Sequence, residues 1–443
     1  MVSGSRARSI MSQRFFSLQD FLSGLSRDLK RRSLRHSLLT LGASVIRLAI
    51  SALAVRILAR GLGPQDLGTF YVVSAVVLIL GTIGDGGLSY TAVREVSRLR
   101  VEETAKTPEA AGAFLILKLV FAGAVAVLVL ALAGPLANAV LPGIANNVLL
   151  VRLAALTVAT TALSGWASAI AQGLRRFGWL AISSIGTAVA GLLGFSALWA
   201  LALLNLASAV AVGILTPMAS LVLFAPVLWK QSVRFINLRK NVADLLGFSR
   251  WLWLSAILSS STAQLDLVLV KHWCAPEIAG FYALAARLAL FADLINQSNF
   301  VALLPVVSAQ RTAVQHRAFM LSSLRRTLPG AGLLLIGALL ARAPIEWFFG
   351  DQYAPVVPLF RILMFGVAFD LVITPLILVA FPLNMPRTLA ASDLLRVVSL
   401  TGAAALLLPV FGAAGAAWAK LAAKAIGASF TLAMVSWRMR TPR

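Results

Sequence analysis

Long apolar segments recur along the whole chain, separated by short polar connections. Each segment holds about 20 residues with few charges, which is the length an α-helix needs to cross a bilayer. The apolar positions are continuous rather than alternating, so the pattern favours helices over the strands of a membrane barrel. It predicts an all-α polytopic membrane protein with about twelve spans, at residues 37–59, 69–93, 111–133, 149–172, 179–202, 208–228, 251–270, 278–305, 328–341, 357–381, 389–407 and 413–435.

One apolar segment ends in an unusual way, in the stretch GDGGLSYTAVRE at residues 84–95. An acid, Asp85, stands there among three glycines, Gly84, Gly86 and Gly87. Irregular backbone is tolerated at membrane depth only where it is buried in protein or lines a water-filled cavity. We therefore expect the helix to loosen at these glycines and Asp85 to line a passage near the membrane boundary.

Composition narrows the class of protein further. The 443 residues are 59% hydrophobic and 12% charged, whereas a soluble domain carries about 25% charged residues. The only cysteine is Cys274, and there are 3 histidines, which excludes a disulfide framework and argues against a Cys/His metal site. No nucleotide-binding, triad or metalloprotease motif is present, and the sequence predicts no cofactor and no catalytic residue.

The net charge of +23 is distributed in a way that predicts orientation rather than nucleic-acid binding. Between the spans, lysine and arginine occupy the N-terminal segment, the even-numbered connections and the C-terminus. The exceptions on the opposite side are Arg60, Lys271 and Arg342. Since basic connections remain in the cytoplasm, both termini are predicted to be cytoplasmic.

The chain divides into four predicted regions. Residues 1–36 form a basic amphipathic segment suited to an anionic membrane surface. Residues 37–228 form an N-terminal bundle of six helices, and residues 251–443 form a C-terminal bundle of six. The basic segment 229–250 is predicted to be a cytoplasmic amphipathic linker between them.

The two halves share a short pattern at matching places. GLGPQDLGTFY follows the first span and HWCAPEIAGFY follows the seventh, so Pro64 and Gly68 correspond to Pro276 and Gly280. Matching positions in two six-span halves favour an internal duplication. Both halves begin on the same side, which predicts a pseudo-twofold axis along the membrane normal and a substrate site between the halves.

Four basic residues inside the spans are candidates for binding an anion. Arg47 and Arg287 lie about ten residues into their spans, roughly 15 Å deep and close to the midplane. Lys420 and Lys424 share a helix face at i, i+4 spacing. Neither arginine has a carboxylate three or four residues away on its own helix, which leaves substrate contact or pairing with another helix open. A guanidinium group matches phosphate oxygens in pairs, so a pyrophosphate suits a cationic cavity.

At this point the sequence resembles a known family. ARGLGPQDLGTFYVVSAVVLIL, GDGGLSYTAVREVSR, QLDLVLVKHWCAPEIAGFYALAARLALF and ALLPVVSAQ look like the polysaccharide (O-antigen and exopolysaccharide) flippases of the multidrug/oligosaccharidyl-lipid/polysaccharide exporter superfamily. The resemblance implies two six-helix bundles forming a V around a central cavity. It also implies movement of a polyprenyl-pyrophosphate-linked oligosaccharide from the cytoplasmic to the periplasmic leaflet of the bacterial inner membrane.

The resemblance also bears on individual residues. Asp266 matches an aspartate of the family's seventh span, and Arg287 matches an arginine of related lipid-precursor flippases. Asp85, Asp293 and Asp370 are the other carboxylates that could line or gate the cavity. Membrane lipids, and a polysaccharide polymerase or export machinery, are the partners the family implies.

Two other functions remain open from the sequence. A multidrug exporter of the same superfamily would share the fold, but a drug cation calls for an acidic cavity rather than a cationic one. A membrane-embedded polymerase or glycosyltransferase needs carboxylates or metal ligands on a sizeable outer loop. The predicted outer connections are short, which favours the flippase.

Overall fold

The computed structural model describes residues 32–231, 234–235, 238–308, 310, 312–383 and 385–440. Its regular elements over these residues are helices, with no strand among them. Three short 3₁₀ turns, at Thr104–Lys106, Asp351–Tyr353 and Leu378–Ala380, separate some of the α-helices. The α-helices are α1 (Arg32–Asp85), α2 (Leu88–Glu102), α3 (Thr107–Ala131), α4 (Ala133–Val140), α5 (Asn147–Gly173), α6 (Phe177–Ala200), α7 (Leu206–Gln231), α8 (Leu238–Trp273), α9 (Pro276–Ser308), α10 (Ala313–Leu339), α11 (Arg342–Phe349), α12 (Val356–Ile377), α13 (Pro386–Phe411) and α14 (Ala413–Arg440).

The helices account for twelve membrane crossings. Within the described residues, 9 helices are long and apolar enough to cross a bilayer, and the pair α10–α11, bent by 53°, makes a tenth. The apolar stretch Gly42–Asp85 of α1 is 44 residues long, enough for two crossings at about 20 residues each. Helix α14 supplies the remaining crossing; Lys420 and Lys424 lower its apolar character. The chain is a multi-pass, all-helical membrane protein.

The first two spans are joined differently from the prediction. A connection was expected at residues 60–68, but helix α1 runs through it with a kink at Gly63, whose φ is 73° and ψ is 174°. Glycine adopts a positive φ easily because it has no Cβ. Pro64 suits the first position of the helical segment that follows, since it has no backbone N–H that would need an acceptor there. The kink at Gly63 thus divides α1 into the helices of the first two spans.

Other boundaries also shift. The ninth span, expected to be short at 328–341, is the 27-residue helix α10, which begins at Ala313. Helix α8 begins at Leu238, so much of the predicted linker 229–250 is helical, and Arg234 donates its backbone N–H to the Pro108 carbonyl at 3.1 Å. Of the predicted N-terminal segment, residues 1–31 lie outside the described residues.

The expected break near Asp85 is present. Helix α1 ends at Asp85 and α2 begins at Leu88, because Gly86 and Gly87 both have positive φ, 62° and 68°. Gly86 also leaves room for the Phe121 ring, which a Cβ would approach to 3.1 Å. The chain changes direction here while the Asp85 side chain stays at the break.

The helices form two lobes that share a core at one side only. We call the side of the basic connections inner and the opposite side outer. Near the outer side, one buried cluster contains side chains from both lobes, including Leu58, Leu67, Tyr282 and Tyr353. Toward the inner side the buried clusters are separate, as expected for a V that opens inward.

The separate inner clusters belong to one lobe each. Leu88, Phe114 and Ile170 belong to the N-terminal lobe, and Val307 and Phe319 to the C-terminal lobe. Helix α8 nevertheless reaches across from the C-terminal lobe. Its Trp253 indole N–H donates to the Ile83 carbonyl of α1 at 3.0 Å, so α8 forms a wall shared by both lobes.

Candidate functional site

The two segments matched as repeats in the sequence face each other at the outer side. A Cβ added to Gly68 would lie 2.5 Å from the Gly280 backbone nitrogen, and one added to Gly280 would overlap the Pro64 carbonyl oxygen. Equivalent residues of a twofold repeat meet where they lie on the axis. Glycine is needed at both positions because backbone packs directly on backbone. We call this contact, with its surroundings, the outer seam.

Polar bonds cross the outer seam as well. The Tyr353 hydroxyl donates to the Ala59 carbonyl at 2.5 Å, and the buried Lys271 ammonium donates to the Thr69 hydroxyl at 3.0 Å. The Arg56 guanidinium carbon lies 4.8 Å from the centre of the Phe348 ring, also in the opposite lobe. These contacts close the outer side in this conformation.

Two cavities lie between the helices on the inner side of the seam. The larger, of about 1050 Å³, is lined by α1, α2, α3 and α5 on one side and α8 on the other, and we call it the N-lobe chamber. The smaller, of about 370 Å³, lies among α8, α9, α12, α13 and α14, and we call it the C-lobe cavity. Ser259, Ala263 and Asp393 line both, so the two adjoin along α8.

The first ion pair of the C-lobe cavity joins Lys420 and Asp266. The ammonium of Lys420 lies 2.7 Å from the Asp266 carboxylate and also donates to the Ala263 carbonyl at 3.1 Å. The fully buried Tyr282 hydroxyl donates to the same carboxylate oxygen at 2.6 Å. Asp266 is only 1% exposed, so its charge depends on these donors.

A second pair lies one helical turn further along α14. Lys424 donates to the Asp370 carboxylate at 2.5 Å, and both side chains line the C-lobe cavity. Asp293, in the same lining, accepts from the Asn296 amide at 2.9 Å rather than from a cation. The predicted shared face of Lys420 and Lys424 is therefore present, with each lysine held by a carboxylate from another helix.

The N-lobe chamber has its own ion pair at the break between α1 and α2. Asp85 pairs with Lys118 of α3 and accepts from the Ser89 backbone N–H at 3.2 Å and from the Ser89 hydroxyl at 2.5 Å. The carboxylate thereby caps the first turn of α2. Lys118 is 3% exposed, and its charge is neutralised by this acid.

The two midplane arginines lie elsewhere. Arg47 is exposed on α1, and neither Arg47 nor Arg287 belongs to the lining of the two cavities. Arg287 points from α9 toward the other lobe, with its guanidinium carbon 5.9 Å from the Tyr71 ring centre. Its Nε is buried without a hydrogen-bond partner among the described residues. Sequence spacing gave the depth of these arginines but not the direction in which they point.

The cavity lining differs from the cationic surface expected from the sequence. Its cations are balanced by an equal number of carboxylates, because partners on neighbouring helices, invisible to spacing along one helix, neutralise buried charges. Within the described residues, no group of three histidine, cysteine, aspartate or glutamate side chains could hold a metal. The charged lining residues are Asp85, Arg94, Lys118, Asp266, Asp293, Asp370, Asp393, Arg396, Lys420 and Lys424.

Comparison with known proteins identifies the family and the fold. The sequence model of a family described as "Polysaccharide biosynthesis protein" matches residues 33–311, more than half of the chain. No curated protein sequence matches significantly. A solved structure titled "Lipid II flippase MurJ, inward closed conformation" is similar with a TM-score of 0.74 and 14% identity, over 91% of this chain and 87% of that one.

Two further solved structures are similar to this chain. A multidrug resistance MATE family transporter of the MOP superfamily in an inward-facing conformation gives a TM-score of 0.73, with 14% identity over 90% of this chain and 99% of that one. An outward-facing structure of such a transporter gives 0.61, with 15% identity over 92% and 95%. The fold is shared with these transporters.

Proposed function

The chain belongs to the polysaccharide biosynthesis protein family, and from that premise we propose that it is a flippase for a polyprenyl-pyrophosphate-linked oligosaccharide. The substrate enters from the cytoplasmic leaflet and leaves in the periplasmic leaflet by alternating access. The observation that carries the proposal is the pairing of a closed outer seam with cavities on the inner side, in a chain of this family. The basic inner connections support the direction, since positive residues remain in the cytoplasm.

Lys420 and Lys424 are the proposed contacts for the pyrophosphate. They lie one turn apart on α14 and both face the C-lobe cavity. A pyrophosphate brings more negative charge and more acceptor oxygens than the single carboxylate that each lysine now holds. We therefore expect the headgroup to compete with Asp266 and Asp370 for the two ammonium groups.

We propose Arg287 as a second contact for the substrate. In this conformation the Tyr71 ring lies beside it at the lobe interface, and its Nε has no hydrogen-bond partner among the described residues. Separation of the lobes at the outer side would expose the guanidinium to the substrate path. Arg47 is left out of the proposed site because it is exposed and lines neither cavity.

The membrane potential supplies a driving force for this direction. A pyrophosphate carries about two negative charges, and the cytoplasm is electrically negative. Each charge moved across 100 mV contributes about 2.3 kcal/mol. Outward movement of the headgroup alone would thus gain roughly 4–5 kcal/mol, provided that the lysines stay in place.

A multidrug exporter is the second candidate, favoured by one observation. Five carboxylates, from Asp85, Asp266, Asp293, Asp370 and Asp393, line the cavities, and carboxylates are what an organic cation would need. All but Asp293 face a lysine or arginine partner within 4 Å, however, so little unneutralised negative charge remains.

The test is reconstitution in vesicles with a fluorescent polyprenyl-pyrophosphate saccharide and an imposed potential. The key variant removes both C-lobe pairs, Lys420→Met with Asp266→Asn and Lys424→Met with Asp370→Asn, which leaves no unpaired buried charge. The matched control removes the exposed pair Lys106→Met with Glu103→Gln. We expect transport by the wild type and the control and its loss in the key variant. Uptake of a lipophilic dye cation, with no movement of the prenyl-linked saccharide, would favour the exporter instead.

A further inference from the structure

Hydroxyl groups line the wall of the N-lobe chamber. Ser255, Ser259 and Ser260 of α8 and Ser168 of α5 line the chamber, and none has a hydrogen-bond partner among the described residues. Many hydroxyls elsewhere in the spans turn back onto their own helix, as Thr262 does to the Leu258 carbonyl at 2.9 Å. The chamber serines keep their donors and acceptors available.

These groups lie on two opposing walls. Ser255 and Ser259 are four residues apart on α8, so they share a face with the neighbouring Ser260. On α5, Ser168 and Gln172 have the same spacing and line the same chamber. Small residues between them keep the space open: at Gly165 the only atom within 4 Å of an added Cβ is the Lys118 ammonium, at 3.7 Å.

The two cavities therefore differ in chemistry. The C-lobe cavity is small and lined by ion pairs, which suits a charged headgroup. The N-lobe chamber, at about 1050 Å³, combines these hydroxyl and amide groups with the Lys118–Asp85 ion pair, and Arg94 and Asp393 also line it. Uncharged groups that both donate and accept hydrogen bonds match a ligand rich in hydroxyl groups.

The connection between the cavities fixes how such a ligand would lie. Ser259 and Ala263 line both, and the Ala263 carbonyl accepts from the Lys420 ammonium at 3.1 Å. A headgroup at Lys420 would thus have its attached sugars beside Ser259 and the rest of the α8 serines. The sugars must lie close to the headgroup because the first sugar is covalently bonded to the pyrophosphate.

We propose that the N-lobe chamber is the saccharide compartment of the transporter, with Ser255, Ser259 and Ser260 of α8 facing Ser168 and Gln172 of α5 as its specificity-determining residues. This rests on the proposed flippase function and adds which part of the substrate each cavity takes. The ligand class is an uncharged, hydroxyl-bearing sugar.

The experiment compares binding of two probes to purified protein in lipid nanodiscs. One probe is the host cell's own prenyl-pyrophosphate saccharide fraction, and the other is bare polyprenyl pyrophosphate. The key variant is Ser255→Ala/Ser259→Ala/Ser260→Ala, which removes three hydroxyls without disturbing helix α8, since alanine favours helix. The control, Ser184→Ala/Ser196→Ala on α6, removes hydroxyls outside both cavities.

We expect the wild type and the control to bind the saccharide-bearing probe more tightly than the bare one. The triple variant should lose at least about tenfold in affinity for the saccharide-bearing probe, as expected for three hydrogen bonds, and keep its affinity for the bare one. Equal loss for both probes, or no loss for either, overturns the compartment while the flippase proposal stands. If the wild type binds neither probe, the flippase proposal fails and the compartment with it.

Discussion

The outer seam and the inner cavities lie between the same two lobes, but the seam is held by close packing and the cavities are lined by paired charges. At the seam, Gly68 and Gly280 bring backbone against backbone, and a single added methyl group has no room. In the cavities, Lys118, Lys420 and Lys424 are part of the lining, and each pairs with a carboxylate. The seam depends on volume, and the cavities depend on charge balance.

The difference teaches which changes each region can tolerate. A tightly packed contact is sensitive to size and indifferent to removal of a distant charge. A lined cavity accepts a change of size but not an uncompensated buried charge, whose cost is several kcal/mol. Alternating access needs both, since one side must close without gaps while the other must stay hydrated around fixed charges.

The largest expected effect comes from breaking a cavity pair on one side only. Asp85→Ala strands the buried Lys118 ammonium and removes the cap of α2, which we expect to cost about 3–5 kcal/mol of stability. Thermal unfolding in detergent measures the loss. Adding Lys118→Met should restore most of it, because no unpaired charge remains. Asp293→Ala, whose partner is the Asn296 amide, is the control and should change stability little; equal losses from both aspartates would contradict the charge-balance argument.

Adding volume at the seam comes next. Gly280→Ala places a methyl group against the Pro64 carbonyl oxygen, and we expect the outer ends to separate at a cost of about 1–3 kcal/mol. Surface polysaccharide should fall in cells although the protein still accumulates. Gly332→Ala, at a glycine with no neighbouring atom within 4 Å of an added Cβ, is the control. Normal export from the Gly280 variant would mean that the seam need not close.

Removing one seam hydrogen bond should have a smaller effect. Tyr353→Phe removes the hydroxyl that donates to the Ala59 carbonyl, at a cost of about 0.5–1.5 kcal/mol. Tyr90→Phe is the control, because Tyr90 is exposed and has no hydrogen bond among the described residues. Spin-label distances across the outer side should lengthen in part of the Tyr353→Phe molecules and not in the control. An unchanged distance distribution would show that glycine packing alone holds the seam.

The smallest expected effect is a difference in the rate of thiol labelling, which tests which side of the membrane the outer connections face. Ala145→Cys, at an exposed residue of the connection before α5, should react with an impermeant maleimide in intact cells, in a Cys274→Ser background. The native Cys274 should react more slowly at neutral pH, because burial raises the pKa of its thiol and leaves less thiolate. Its rate should rise as the pH is raised. Labelling of Ala145→Cys only after lysis would reverse the orientation.

The sequence predicted some features of the site because they depend on local spacing. Gly86 and Gly87 signalled a break because positive φ favours glycine. Lys420 and Lys424 were expected on one face because four residues make about one helical turn, and both line the C-lobe cavity. The missing connection at Gly63 was not foreseen, because a glycine before proline resembles an ordinary turn.

The partners of the charges could not be predicted from spacing. Asp266 reaches Lys420 across 154 positions of sequence, and Asp370 reaches Lys424 across 54. The serines of α8 were equally hidden, since i, i+4 spacing fits a lipid-facing, buried or cavity-facing stripe alike. A free hydroxyl is recognised only when its neighbours are known.

What the sequence by itself determined is the class of protein and the number of crossings, because bilayer thickness acts on each segment separately. Loop charge also acts on each connection separately, and from it the orientation is predicted. It also marked Gly68 and Gly280 as equivalent. Only the tertiary structure decided that these two glycines touch, that Arg287 faces Tyr71 rather than either cavity, and that every cavity lysine is paired. Such contacts arise where helices distant in sequence meet, and there the cost of an unpaired buried charge selects which side chains face each other.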